Sequence, residues 1–203
     1  MDEKQRTKDF YDKGAKYYDF ICGFLGWFGL RKLRRQLMHR AAGQVLEVGF
    51  GTGLNLEYYP TDLQLTGVDL STGALTIARR RADNLRRVVN LQVMDIEALT
   101  FTDQSFDTVV STLTVCGYLD PIKALGEIRR VTKAGGKILL LEHGRSSNRY
   151  LARWQDWRDA KHFQKRCCHI NRDPLALAQI AGLTIVKEKR LGLKTLYWIE
   201  AIP

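Results

Sequence analysis

Residues 45–53 read VLEVGFGTG, an apolar run broken by one acid, Glu47, that passes straight into glycines at positions 49, 51 and 53. A β-rich run ending in alternate glycines predicts a strand and then a tight loop whose backbone is bare of side chains. Such a loop after a first strand is where an open parallel sheet takes a ligand, outside the carboxyl ends of its strands.

The same β-rich character returns in LQLTGVDL (63–70), VNLQVMD (89–95), FDTVVSTL (106–113) and GKILLLEH (136–143). Helical stretches separate these runs. STGALTIARRRADNL (71–85) opens on a capping Ser71 or Thr72, and DPIKALGEIRRVTKAGG (120–136) has Asp120 as N-cap, Pro121 at the first helical position and glycines at its end. Strands alternating with helices imply right-handed βαβ units. Two later runs, LTIVKEKRL (183–191) and LYWIEAIP (196–203), bring the strands to seven and read as an antiparallel C-terminal edge. The expected fold is α/β and Rossmann-like: a seven-stranded, mostly parallel sheet with helices on both faces.

The loop fits neither common phosphate cradle. A dinucleotide GxGxxG would need a small residue where Leu54 stands, and Gly136-Lys137 is followed by Ile138 rather than Ser or Thr. The pattern present is E-x-G-x-G-x-G, from Glu47 through Gly49 and Gly51 to Gly53.

This pattern resembles the first motif of the class I S-adenosylmethionine-dependent methyltransferases, and four further stretches match that family in order across residues 44–142. The resemblance implies S-adenosylmethionine as cofactor and S-adenosylhomocysteine as product. Glycines would let the ligand lie on the backbone, and Glu47 would place negative charge near its cationic groups. Asp69, with Leu70 beside it, would accept bonds from the ribose hydroxyls. Asp95 would meet the adenine amine, with Ile96 in contact, and Thr112 would stand near the methionine part. Asp107 reads as structural, and RRVTKAGGKILLLE (129–142) departs from the family's K-P-G-G turn by Ala134.

The flanks point to a subgroup. FYDKGAKYYDF (10–20) is similar to the N-terminal segment of ubiquinone/menaquinone and phospholipid methyltransferases, which makes Tyr11 and Tyr18 candidate lid residues over the cofactor, with core packing as the alternative. RCCHINRD (166–173) resembles a stretch of membrane-associated thiol methyltransferases. The expected layout is one methyltransferase domain over 1–203: N-terminal lid or membrane-facing helices at 1–40, a cofactor core at 44–142, and an acceptor-side helical insert at 143–182.

Composition agrees with a soluble domain, at 45% hydrophobic and 27% charged residues. The net charge of +10 is clustered, in RKLRR (31–35), in RRR (79–81) with Arg86 and Arg87, and in eight basic residues from Arg145 to Arg172. Such fields attract lipid or nucleic-acid phosphates, or are merely solvated helix faces. FICGFLGWFGL (20–30), about half the length of a membrane span, precedes basic residues up to Arg40, so the segment is expected either to sit on an anionic membrane surface or to cover the acceptor pocket. Cys22, Cys116, Cys167 and Cys168 form no CxxC pair, so no metal site or disulfide framework is expected, and a cytoplasmic, reducing setting is the simplest.

Methyl transfer is an in-line displacement on an activated sulfonium, so positioning can suffice and a base is optional. Where one is needed, His143 and Glu142 at the end of the fifth strand are the candidates, with His169 and Tyr118 behind them, and a structural histidine as the alternative for His143. Cys167 and Cys168 lack an activating partner pattern and are read as inert. The expected acceptor is a phospholipid amine or quinol, with a small thiol as the alternative. A nucleic-acid-modifying or RNA-binding protein is the rival class, disfavoured because STLTVCGY stands where N/D-P-P-Y/F would be.

Overall fold

The computed structural model describes the backbone of residues 3–25 and 29–203, and the side chains of residues 3–15 and 29–203. Seven strands form one sheet in the order β3-β2-β1-β4-β5-β7-β6. They are β1 (Gln44–Val48), β2 (Gln64–Asp69), β3 (Val89–Val93), β4 (Phe106–Thr112), β5 (Thr132–His143), β6 (Thr184–Leu191) and β7 (Leu196–Ile202). The first five run parallel, and β7 is antiparallel to both β5 and β6. The expected sheet is therefore present, with β7 inserted beside β5 and β6 left at the edge.

Among the described residues six α-helices accompany it: α1 (Glu3–Leu25), α2 (Leu30–Met38), α3 (Thr72–Asn84), α4 (Pro121–Val131), α5 (Arg149–Arg166) and α6 (Pro174–Ile180). Ser71 and Asp120 cap α3 and α4 by accepting from the Ala74 and Lys123 backbone N–H groups, as the sequence predicts. The expected stop of the second of these helices is different. α4 ends at Val131, and Gly135 and Gly136 fall inside β5. Between Phe106↔Thr132 and Thr108↔Lys137 the register jumps, and a Cβ on Gly136 would lie 2.9 Å from the Asp107 carbonyl. These glycines let an irregular strand start press on β4 rather than end a helix.

Ile138, Leu139, Leu140 and Leu141 of β5 are all fully buried, with apolar clusters on both faces of the sheet. This is why β5 reads as a continuous apolar run instead of an alternating one. Each such side chain contributes roughly 1.5–3 kcal/mol relative to exposure. The rigid centre fixes the strand's carboxyl end, where His143 projects.

Candidate active site

Strand order reverses between β1 and β4, and a cavity of about 770 Å³ opens there at the carboxyl ends of the strands. One side of it is built by the glycine loop. Gly49, Gly51 and Gly53 have φ of +60°, +57° and +78°, backbone that disfavours any side chain. Their surroundings differ. A Cβ on Gly49 would stand 2.3 Å from Thr114 Cγ2 and one on Gly53 2.8 Å from Leu56 Cδ1, whereas one on Gly51 would meet nothing nearer than 4.0 Å. Gly49 and Gly53 thus allow the turn to pack, and Gly51 offers open backbone to the cavity. Gly53 is not among the lining residues, while Gly49 and Gly51 are.

Asp69 receives the Gly51 N–H on one oxygen and the Ser71 N–H on the other, each at 2.8 Å. It ties the loop to the start of α3, and burial raises its pKa. Leu70, Asp95, Ile96 and Thr112 also line the cavity, as the resemblance implies. Asp95 accepts from the Glu97 N–H at 3.0 Å and from Lys4 of α1, a partner invisible in the sequence.

Glu47 lines the cavity but is fully committed beneath the loop. It accepts from Asn55 Nδ2 at 2.6 Å and Tyr59 OH at 2.9 Å, and burial pushes its pKa up to about 7. Arg34 of α2 completes this buried network by donating to Asn55 Oδ1 at 2.6 Å and Thr112 Oγ1 at 3.3 Å. Reading RKLRR as wholly solvated is therefore corrected: Arg34 is 6% exposed. The available signal was helical spacing, since Leu30, Leu33, Arg34, Leu37 and Met38 share one face.

α1 roofs the cavity. Its Asp12 accepts from Ser71 Oγ at 2.6 Å and from the Gly73 N–H at 2.9 Å, and Arg6 donates to the Phe163 and Gln164 carbonyls. Tyr11 lines the cavity and donates to the Cys167 carbonyl at 3.3 Å. The Tyr18 side chain, like the aromatic stretch at 20–28 and Cys22, lies outside the described residues.

Another wall is assembled from three separate segments: the loop after β4, the end of β5 and the chain between α5 and α6. Arg172 donates to the Val115 and Tyr118 carbonyls at 2.7 and 2.6 Å, and the His169 N–H donates to the Cys116 carbonyl at 2.8 Å. His143 faces the cavity, with Cys168 Sγ 3.2 Å from its Nε2. Glu142, expected beside it, is instead fully buried under the loop after β4. It accepts from Ser111 Oγ and the Thr114 and Val115 N–H groups, and burial raises its pKa to about 7. Strand alternation sends neighbours to opposite faces, so only one of the pair reaches the cavity.

His169 is held away from the cavity by Asp159 at 2.6 Å and by stacking on Phe163, and burial raises the Tyr118 hydroxyl pKa. Cys168 has partners that the sequence did not reveal. A hydrogen bond shared with Cys116, together with the His143 ring, holds its thiol below the ordinary range. Burial pulls His143 down, but the Cys168 contact outweighs it and the imidazole pKa ends raised. Cys167, next in sequence, is buried at the left-handed C-cap of α5 and does not line the cavity.

Comparison with known proteins agrees with this architecture. Residues 46–140 match the family described as a methyltransferase domain. The phosphatidylethanolamine N-methyltransferase of Cereibacter sphaeroides is 36% identical over 62% of this chain and 63% of its own length. A ubiquinone/menaquinone biosynthesis C-methyltransferase of Geotalea uraniireducens is 30% identical over 68% and 63%. A mitochondrial methyltransferase of Saccharomyces cerevisiae is 29% identical over 96% of this chain and 46% of its own. The chain thus spans about half to under two thirds of the length of these relatives. Among solved structures, the geranyl diphosphate C-methyltransferase of Streptomyces coelicolor, bound to S-adenosyl-L-homocysteine, superposes with a TM-score of 0.69 at 16% identity, covering 85% of this chain and 80% of that one. A SAM-dependent methyltransferase of Aquifex aeolicus gives 0.67 at 16% identity over 94% and 97%. With its strand order and its glycine loop in place, the segment 46–140 of this chain matches the methyltransferase domain family.

Proposed function

We propose that the protein transfers the methyl group of S-adenosylmethionine to a lipid-associated acceptor, a phospholipid amine or a quinol. One observation carries this reading: a single cavity of about 770 Å³ joins Gly51, Asp69 and Asp95 at one end to His143 at the other, room for cofactor and acceptor together. The residues present suit the cofactor: Gly51 leaves backbone open to the cavity, and Asp69 at the end of β2 and Asp95 two residues after β3 both line it.

When bound, the sulfonium supplies a methyl group already activated for displacement. Everything else falls to the chain. Gly51 and Asp69 orient the donor, α1 closes over it as a lid and excludes water, and the segment 143–182 shapes the acceptor side. The His143–Cys168 pair takes the proton an amine or quinol loses on methylation. Glu142 and Glu47 are positioning residues, each fixing a loop that the cavity needs.

α5 supports a lipid source. Tyr150, Trp154 and Trp157 are 68%, 50% and 70% exposed. At about 100° per residue they form one stripe, and Arg153, Arg158, Lys161 and Lys165 lie within or beside it. Aromatic rings amid basic residues suit an anionic membrane interface. His162 and Arg166 of the same helix line the cavity, so a docked surface lies close to the mouth. Among the described residues no helix is long and apolar enough to cross a membrane.

Labelled cofactor offered with phosphatidylethanolamine vesicles, a demethylated quinol and an alkyl thiol tests the reading. Product is expected from a lipid acceptor, and cofactor binding without transfer to any of them would overturn it. Sedimentation with anionic vesicles tests the surface: binding at low salt should weaken at high salt and in Trp154→Ala/Trp157→Ala. A small thiol is the second reading, favoured by the sulfur-lined wall at Cys168 and Cys116.

A further inference from the structure

Cys116, His143 and Cys168 come from three segments far apart in sequence, yet Cys116 Sγ, Cys168 Sγ and a ring nitrogen of His143 all lie within 4.8 Å of one another. All three residues line the cavity. We propose that this trio binds a thiophilic divalent cation, zinc in the first instance, with its fourth position open to the cavity.

The donor set selects the metal. Two thiolates and one imidazole are soft and borderline ligands that suit zinc, whereas magnesium and calcium require oxygen. The geometry is close to that of a loaded site. Tetrahedral zinc, with bonds of about 2.3 Å to sulfur and 2.0–2.1 Å to nitrogen, holds its ligands roughly 3.5–3.8 Å apart. The Cys168–His143 separation is 3.2 Å and no pair exceeds 4.8 Å, so shifts of about 1 Å or less bring the set into range. Three protein ligands and an open fourth position are the signature of catalytic rather than structural zinc.

The scaffold holding the trio is stiff. Arg172 and the His169 N–H lock the segment bearing Cys168 onto the loop bearing Cys116, while the pairing of His143 with Leu196 registers the end of β5. A Cβ on Gly144 would lie 2.3 Å from the Arg172 carbonyl, so that loop also passes very close to the Cys168 segment. Rigid support of this kind keeps ligands converged. Among the described residues no fourth Cys, His, Asp or Glu belongs to the group.

The ligand this site takes is an alkyl thiol, and here the inference rests on the second reading given above, with His143 as a ligand in place of a base. The thiol displaces metal-bound water and releases its proton to solvent. The bound thiolate then uses a sulfur lone pair to form the new S–CH3 bond, while the C–S bond of the sulfonium breaks and its electron pair stays on S-adenosylhomocysteine. The thioether, a poorer ligand than a thiolate, leaves. Electrons balance without any redox partner.

Cobalt(II) titrated into the reduced, full-length protein tests the site directly, independently of turnover. We expect one equivalent to give the near-ultraviolet sulfur-to-cobalt charge-transfer band and the visible bands of a tetrahedral ion, both displaced by zinc. Cys116→Ser, Cys168→Ser and His143→Ala should each weaken binding at least tenfold, whereas Cys167→Ala should leave it within twofold. Unchanged cofactor affinity in each variant shows that it is folded. Adding 2-mercaptoethanol should shift the charge-transfer band. No such band, or a band that survives Cys168→Ser, overturns the metal site. A band indifferent to the thiol overturns its role in acceptor binding. Methylation of phosphatidylethanolamine by metal-free protein is scored separately, and it can succeed or fail whatever the cobalt experiment shows.

Discussion

The two ends of the cavity, donor and acceptor in the function proposed above, are built in different ways. At the donor end, one stretch of chain running from β1 through Asp69 to Asp95 supplies strand, loop and acid in sequence order. At the acceptor end, residues 113–119, 143–145 and 167–173 meet only through tertiary hydrogen bonds. Local construction makes the donor end readable as a motif. The acceptor end could diverge in chemistry without disturbing cofactor binding, because Asp69 is held from within the donor end, by the Gly51 and Ser71 N–H groups.

Substitutions at the two ends should therefore fail differently. Asp69→Ala removes the acceptor of two backbone N–H groups as well as the expected ribose contact, and should lower cofactor affinity by a hundredfold or more in calorimetry. Unchanged affinity would refute the donor assignment. His143→Ala should cut turnover about a hundredfold with cofactor affinity kept within twofold. A parallel loss of cofactor binding would show that the ends are not separable.

The glycines sharpen the contrast within the donor end. Gly49→Ala meets both a positive φ and a Cβ contact at 2.3 Å, and should destabilise the fold by about 2–4 kcal/mol in denaturant melts. Gly51→Ala meets only the φ penalty, about 1–2 kcal/mol, yet should weaken cofactor binding more than its stability loss suggests. Equal effects of the two on binding would break the distinction.

Glu47 makes stability depend on pH. Its folded pKa of about 7 lies above the unfolded value of 4.5, so the folded state holds the proton more tightly. Its contribution is favourable below about pH 4.5, declines as pH rises towards 7 and is flat above, a swing on the order of 3 kcal/mol. Glu47→Gln should lessen the slope in melts from pH 5 to 8 without abolishing it, because Glu142, also raised to about 7, keeps its own share. Lys4→Ala should have the smallest effect, 0.2–1 kcal/mol, because the Lys4 side chain is 36% exposed and solvent screens its pairs with Asp95 and Glu97. Faster hydrogen exchange in the first turns of α1 is its expected signature.

Legibility followed the same divide. Glu47, Asp69, Asp95 and the glycines stood at fixed distances from strand ends, so pattern alone reached them, though not which glycine faces the cavity. Arg34 was half visible, in the spacing of α2, and was overridden by the charge of its neighbours. Lys4 and Asn55 left no local trace, because their partners are set by how α1 and the glycine loop pack. Adjacent cysteines looked equivalent, yet the left-handed C-cap at Cys167 turns one into the core and leaves the other beside His143.

The insertion of β7 between β5 and β6 also orders events in time. On the ribosome, β1 through β4 can pair as they emerge, and the donor loop can form early. His143 gains its antiparallel neighbour, Leu196, only after the hairpin that carries β7 has been synthesised. A nascent chain can thus close the glycine-loop half of the cavity before the end of β5 is held in register. Ribosome-stalled chains ending before residue 196 should retain S-adenosylmethionine yet present no finished chamber in which to spend the methyl group.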